Sequence, residues 1–170
     1  MLKKFKFLAH FGKFCLNFGA FLLVASFAGC FSSNGAEVGK KAPQIEAKNL
    51  ASEKVKFDES KVVVLVFFEK GCTACLQELP LLDEFAFSQK DKLQVIAINS
   101  VDEMPSIVVL REQYGLYNIV LAKDELDISW QRYGIFALPT TIIIKNGIVV
   151  ERITGDKGWE NLHSKLLPLL

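Results

Sequence analysis

The seven residues from Val62 to Phe68 are all valine, leucine or phenylalanine, and no other stretch limits the fold so tightly. A strand covered on one face alternates apolar and polar side chains, so a run with no polar position must be covered on both faces. That calls for a sheet with helices packed above and below it. Leu93–Ile98, apolar apart from Gln94, is read as a second buried strand. Between the two runs, Thr73 to about Ser88 is predicted helical, with Cys75, Leu79, Leu82 and Ala86 at i, i+4, i+7 and i+11 along one buried stripe. Strand, helix, strand in that order implies parallel pairing through a right-handed crossover.

The remaining pattern extends the same plan. Pro105–Tyr114 is predicted helical, entered through Asp102 or Met104 and stopped near Gly115. A short strand is expected at 118–121 and a helix around 126–133. Thr140–Lys145 and Ile148–Ile153 flank Asn146 and Gly147, a strong hairpin signal. Gly155 precedes a closing helix around 159–167. Trp130 and Trp159 are expected to anchor the core. The expectation is one α/β domain over residues 38–170, a central mixed sheet flanked by helices, in a chain of 170 residues.

The segment before that domain differs in kind. Its charges before residue 30 are Lys3, Lys4, Lys6 and Lys13, with no Asp or Glu, and residues 14–29 are almost wholly apolar. A basic start, a short apolar run and small residues at its end form an export signal. Ala28-Gly29-Cys30 resembles the lipobox of bacterial lipoproteins, with Phe27 in place of the usual Leu. Residues 1–29 are therefore expected to be a lipoprotein signal peptide, and residues 30–37 a lipidated Cys30 followed by a tether. An uncleaved anchor helix and ordinary cleaved secretion are the alternatives. All three place the domain outside the cytoplasm, because the lysines hold the N-terminus inside. The expected location is periplasm-facing and membrane-anchored, on the inner or the outer membrane. The rest of the chain carries 16 basic against 19 acidic residues once the four lysines are set aside. Such a balance offers no attraction to nucleic acid phosphates.

Two of the four cysteines, Cys15 and Cys30, fall in that leader, leaving Cys72 and Cys75 in the domain. The pair sits where the strand ending at Phe68 gives way to a helix, a spacing that lets the two sulfurs bond. At the helix N-terminus, free N–H groups and the helix dipole favour a thiolate at Cys72. Cys75, one turn in and on the buried stripe, is shielded. Cys72 is accordingly read as nucleophile and Cys75 as resolving thiol. An inert bridge or half of a zinc site are the structural alternatives. Zinc requires four ligands, and the domain adds only His163, so no metal and no cofactor is expected. Glu78, three residues beyond Cys75, is either a solvated helix glutamate or a partly buried carboxyl that exchanges a proton with that thiol.

These stretches together resemble the thioredoxin superfamily, and within it the TlpA/ResA-like branch of exported, membrane-tethered thiol-disulfide oxidoreductases. The likeness runs over roughly residues 38–168: Val38–Pro43 as lead-in, Val62–Phe68, then Cys72-Thr-Ala-Cys-Leu-Gln-Glu-Leu-Pro80, and Ala137-Leu-Pro-Thr-Thr141. The resemblance implies a thioredoxin-like fold and a cis peptide before Pro139, with the backbone of Leu138 left free for an extended substrate. It also implies that Glu78 serves Cys75, since thioredoxin proper carries an acid at the position held here by Val66. Gly71 and Ala74 depart from the family's usual Trp and Pro around the motif.

The function implied is reduction of disulfides in extracytoplasmic proteins, for instance apocytochrome c. Protein disulfides would be the substrates, and a membrane redox partner would recycle the dithiol of a monomer. A disulfide oxidase or isomerase shares the fold, and a thiol-dependent copper chaperone is a non-enzymatic alternative that would need a His or Met beside the thiols. By resemblance a peroxidase needs Thr three residues before its reactive cysteine, where Glu69 stands.

Overall fold

A computed structural model of the protein describes residues 35–170. Cys30, the leader and most of the tether lie outside the described residues.

Among the described residues, six strands and four α-helices follow in chain order: β1 (Ala47–Asn49), β2 (Val62–Phe67), α1 (Thr73–Ser88), β3 (Leu93–Asn99), α2 (Met104–Tyr114), β4 (Val120–Asp124), α3 (Ile128–Arg132), β5 (Thr140–Lys145), β6 (Ile148–Thr154) and α4 (Trp159–Leu166). They form one mixed sheet in the order β1-β4-β3-β2-β5-β6. β2 runs parallel to β3, and β3 to β4. β5 lies antiparallel to β2, β6 to β5, and β1 to β4. This is a thioredoxin-like α/β fold.

Strand β2 is buried along its whole length, as a run without polar residues demands. Its side chains alternate between two apolar layers. Val62, Val64, Val66 and Phe68 join Cys75, Leu79 and Leu82 of α1, Ile107 and Leu110 of α2, and Leu162 and Leu166 of α4. Val63, Leu65 and Phe67 face the other way, toward Tyr133, Ile135, Ile142 and the lead-in residues Ala42 and Ile45. The α1 stripe is the one the spacing indicates, with Asp83 as an addition. Trp130 stands edge-on to Phe67 and Trp159 edge-on to Phe85, so both do pack on the core.

Three elements differ from the sequence expectation, each because a buried carboxylate takes backbone donors. β4 starts at Val120 rather than 118, since the Asn118 and Ile119 N–H groups donate to Asp83 Oδ1 at 2.8 and 3.1 Å. α2 starts at Met104 with Glu103 in the cap position, and the Asp102 side chain is engaged elsewhere. Gly115 ends that helix in the left-handed region, φ +67°, where glycine is favoured. α3 is shortened to 128–132: Leu126 and Asp127 take positive φ, and Asp124 accepts the Ser129 and Trp130 N–H groups. β1 carries no periodic signal over its three residues and was not anticipated.

Leu79 is fully buried between α1 and the sheet. Leu79→Ala is expected to cost about 2–5 kcal/mol, read as a lowered urea midpoint with an unchanged slope.

Candidate active site

Several loops at one end of the sheet come together here. β2, β3 and β4 are parallel, so the segments after them emerge together, and the segment before antiparallel β5 joins them. After β2, the Phe68 N–H still donates to the Ile98 carbonyl at 3.0 Å. The chain then turns through Glu69, Lys70 and Gly71, closed by the Cys72 N–H donating to Glu69 O at 3.1 Å. Asp102 holds this turn from the loop after β3. Its Oδ2 accepts from the Lys70 N–H at 2.7 Å and from Asn99 Nδ2 at 2.8 Å, while Asn99 Oδ1 accepts from the Asp102 N–H at 2.7 Å. Burial opposes ionisation of Asp102, but the bonds from Asn99 and Lys70 and the Lys70 charge outweigh it and hold the carboxyl below its usual range.

Cys72 occupies the N-cap of α1 with extended backbone, and its Sγ accepts from the Cys75 N–H at 3.2 Å. The two cysteines are joined as a disulfide. Cys72 is half-buried, whereas Cys75 is fully buried against the sheet. Of the two cysteines, only Cys72 reaches the surface. A Cβ at Gly71 would approach the Glu69 carboxylate no closer than 3.4 Å, so space alone does not require glycine there.

The Leu138–Pro139 peptide is cis, as the resemblance implied. Pro139 is buried and its carbonyl accepts the Gly155 N–H at 2.8 Å. Pairing of Thr140 with Phe67 and of Thr141 with Val66 sets this loop beside the turn that leads to Cys72. Leu138 and Cys72 pack against the same apolar cluster. Among the described residues, no backbone hydrogen bond engages the N–H or C=O of Leu138.

Glu78 lies one helical turn beyond Cys75, half-buried, with Oε1 enclosed and lacking a hydrogen-bond partner among the described residues. Burial raises its affinity for a proton, the charge of Asp156 adds to that, and the Thr141 side chain works against it. Cys72, Cys75, Glu78, Leu138 and Pro139 thus gather at one end of the sheet. Asn99, Asp102, Thr141 and Asp156 complete the surroundings and were missed, since each reaches the site from a separate loop or strand. Their one sequence signal was an Asn-x-x-Asp step closing a buried strand. Among the described residues, no group of three or more metal-binding side chains occurs.

The sequence profile of the AhpC/TSA family matches residues 38–152. The chain belongs to that family. Among individual proteins, the thioredoxin-like protein YneN of Bacillus subtilis is 27% identical over 137 residues, covering 78% of this chain and 80% of that protein. The thiol:disulfide interchange protein DsbE of Xylella fastidiosa (strain Temecula1) is 28% identical over 144 residues, covering 82% and 72%. In three dimensions, the structure of a putative thiol:disulfide interchange protein DsbE from Chlorobium tepidum superposes with a TM-score of 0.72. It covers 79% of this chain and 99% of its own at 23% identity, which speaks for the fold.

Because the folded chain binds the Glu78 proton more tightly than the unfolded chain does, ionising Glu78 costs stability. That contribution is intact below the ordinary value of 4.5 and lost as pH rises through the raised folded value. Glu78→Gln, tested in the disulfide form, should match the parent near pH 4 and exceed it at about pH 8 in urea melts. Parallel curves at both pH values would remove the raised proton affinity.

Proposed function

We propose that the chain is an exported, lipid-anchored reductant of disulfides in extracytoplasmic proteins, apocytochrome c among its candidate clients. Its coarser class follows from family membership and the bonded pair: a thiol-disulfide oxidoreductase of the DsbE/thioredoxin type. The observation that carries the roles of the pair is the unequal burial of the two cysteines, Cys72 half-buried at a helix start and Cys75 fully buried one turn in; the reducing direction rests on the resemblance to the TlpA/ResA-like branch.

In the reduced protein, the Cys72 thiolate attacks one sulfur of the client disulfide. The Cys72–client bond forms, the client S–S bond breaks, and the departing client thiolate takes up a proton. The Cys75 thiol then gives its proton to the Glu78 carboxylate and attacks Cys72 Sγ. This closes the Cys72–Cys75 bond and expels the second client thiolate, which is protonated in turn. Two electrons and two protons pass from the dithiol to the client. The helix N-terminus favours the thiolate at Cys72 throughout. The free backbone of Leu138 before Pro139 suits pairing with an extended client segment, as in strand addition.

Export and anchoring rest on the lysine-rich start, the apolar run to Gly29 and the cysteine at position 30. Among the described residues, no helix is long and apolar enough to cross a membrane, and the proposed tie is a lipid on Cys30. A membrane partner would return electrons to the oxidised pair, and the protein is taken to act as a monomer.

Cys75→Ala should accumulate a mixed disulfide with client proteins through Cys72, visible as a thiol-sensitive band on a non-reducing gel, and Cys72→Ala should not. The reverse pattern would exchange the two roles. Equilibration against a dithiothreitol series should give a potential near thioredoxin's, about −270 mV, for a reductant; a value near about −120 mV would make it an oxidase.

A further inference from the structure

The turn that delivers Cys72 has little of its own to hold it. Lys70 and Gly71 are exposed, Glu69 is half-buried, and Gly71 has no side chain to pack. The bond from the Cys72 N–H to Glu69 O closes the turn only on itself. Among the described residues, one hydrogen bond ties residues 69–71 to another element: the Lys70 N–H donates to Asp102 Oδ2 at 2.7 Å. The Lys70 ammonium turns to the same side chain, 3.7 Å from Oδ1.

Asp102 is itself firmly placed. It is buried, and Asn99, fully buried at the end of β3, braces it. Asn99 Nδ2 donates to Asp102 Oδ2 at 2.8 Å, and Asn99 Oδ1 accepts from the Val101 and Asp102 N–H groups at 3.0 and 2.7 Å. A carboxylate fixed by a buried strand thus holds an exposed turn. Two residues after Lys70 stands Cys72, at the N-cap of α1, its Sγ accepting from the Cys75 N–H at 3.2 Å. A thiolate gains from a helix N-terminus only while it stays before those N–H groups, because the effect falls off within the first turn.

We propose that Asp102 is the positioning residue of the redox turn: by gripping the Lys70 N–H it keeps Cys72 Sγ at the start of α1, and so sets how readily that thiol ionises and attacks. This rests on Cys72 as the attacking sulfur. The carboxylate acts in two opposed ways. Its grip favours the thiolate, and its negative charge opposes it. The other charged groups of this end are Glu69 and Lys70 in the turn, Glu103 and Lys123 by the loop after β3, Glu78 on α1, and Arg152 and Asp156 on and after β6. All of these are shared by the two variants compared below, so the difference between the variants isolates the grip.

The test follows iodoacetamide alkylation of the reduced full-length protein against pH, with the modified cysteine mapped by mass spectrometry. Asp102→Asn loses the charge but keeps an oxygen for the Lys70 and Asn99 donors, so Cys72 should ionise at a pH no higher than in the parent. Asp102→Ala loses charge and grip together. Its profile should lie at higher pH than that of Asp102→Asn, with Cys72 alkylated about fivefold more slowly at neutral pH. A merely structural role would lower the urea midpoint of Asp102→Ala and leave the two profiles superimposed, which would overturn the proposal. Amide exchange in the parent gives a second reading that does not need Asp102→Ala to fold. In both the dithiol and the disulfide form, the Lys70 N–H should be protected at least about a hundredfold more than the Gly71 N–H, which no hydrogen bond engages among the described residues. Equal exchange at the two positions would overturn the proposal as well. Alkylation of the parent that maps to Cys75 would instead remove Cys72 as the attacking sulfur, and this proposal with it.

Discussion

Burial of β2 on both faces is the constraint on which the rest of the structure depends. Its alternate side chains enter two different apolar layers, one under α1, α2 and α4 and one under the segment from Trp130 to Ile135. Register is then strict, because a one-residue slip would exchange the two sets and drive Phe67 and Phe68 into the wrong layers. A strand held so firmly fixes where the chain leaves the sheet, and Cys72 follows within five residues. The helix that begins there is bound at both ends: Cys75 lies against the sheet at the first turn, and Asp83 grips the start of β4 further along.

Around that exit, side-chain carboxylates replace backbone ladders. Asp102 closes the turn before Cys72 and Asp124 caps α3, while at the opposite end of the sheet Asp83 terminates the loop before β4. Each is buried and accepts backbone N–H donors, which offset the cost of taking its oxygens out of water. The loops of the redox face are therefore positioned by hydrogen bonds to fixed carboxylates. Arg152 acts similarly from β6, donating to the Tyr133 and Gly134 carbonyls at 2.7 and 2.8 Å and fastening the start of the segment that leads to Pro139.

Those contacts separate what was legible in the sequence from what was not. β2, β3, α1 and the β5–β6 hairpin announce themselves through period and turn chemistry, signals confined to neighbouring residues. Cys72, Cys75 and Pro139 are legible for the same reason: a short motif at a strand–helix junction and a proline at a strand start. Glu78 was visible as a position but its environment was not, because Asp156 and Thr141 come from elements more than sixty residues away. β4 and α3 shifted because Asp83 and Asp124 compete for the backbone donors that would otherwise have extended them. Nothing local distinguishes such an aspartate from one that faces solvent.

The outer strands of the sheet have neighbours on their open sides as well. Beyond β6, the Gly39 N–H donates to Val149 O, the Val149 N–H to Lys40 O, and the Ala42 N–H to Gly147 O. Beyond β1, the Val55 N–H donates to Ala47 O and the Asn49 N–H to Glu53 O. Unprotected sheet borders invite stray chains to zip on, the usual route to aggregation. These bonds cover β1 and the first residues of β6, which shortens the open border along which a stray chain could pair.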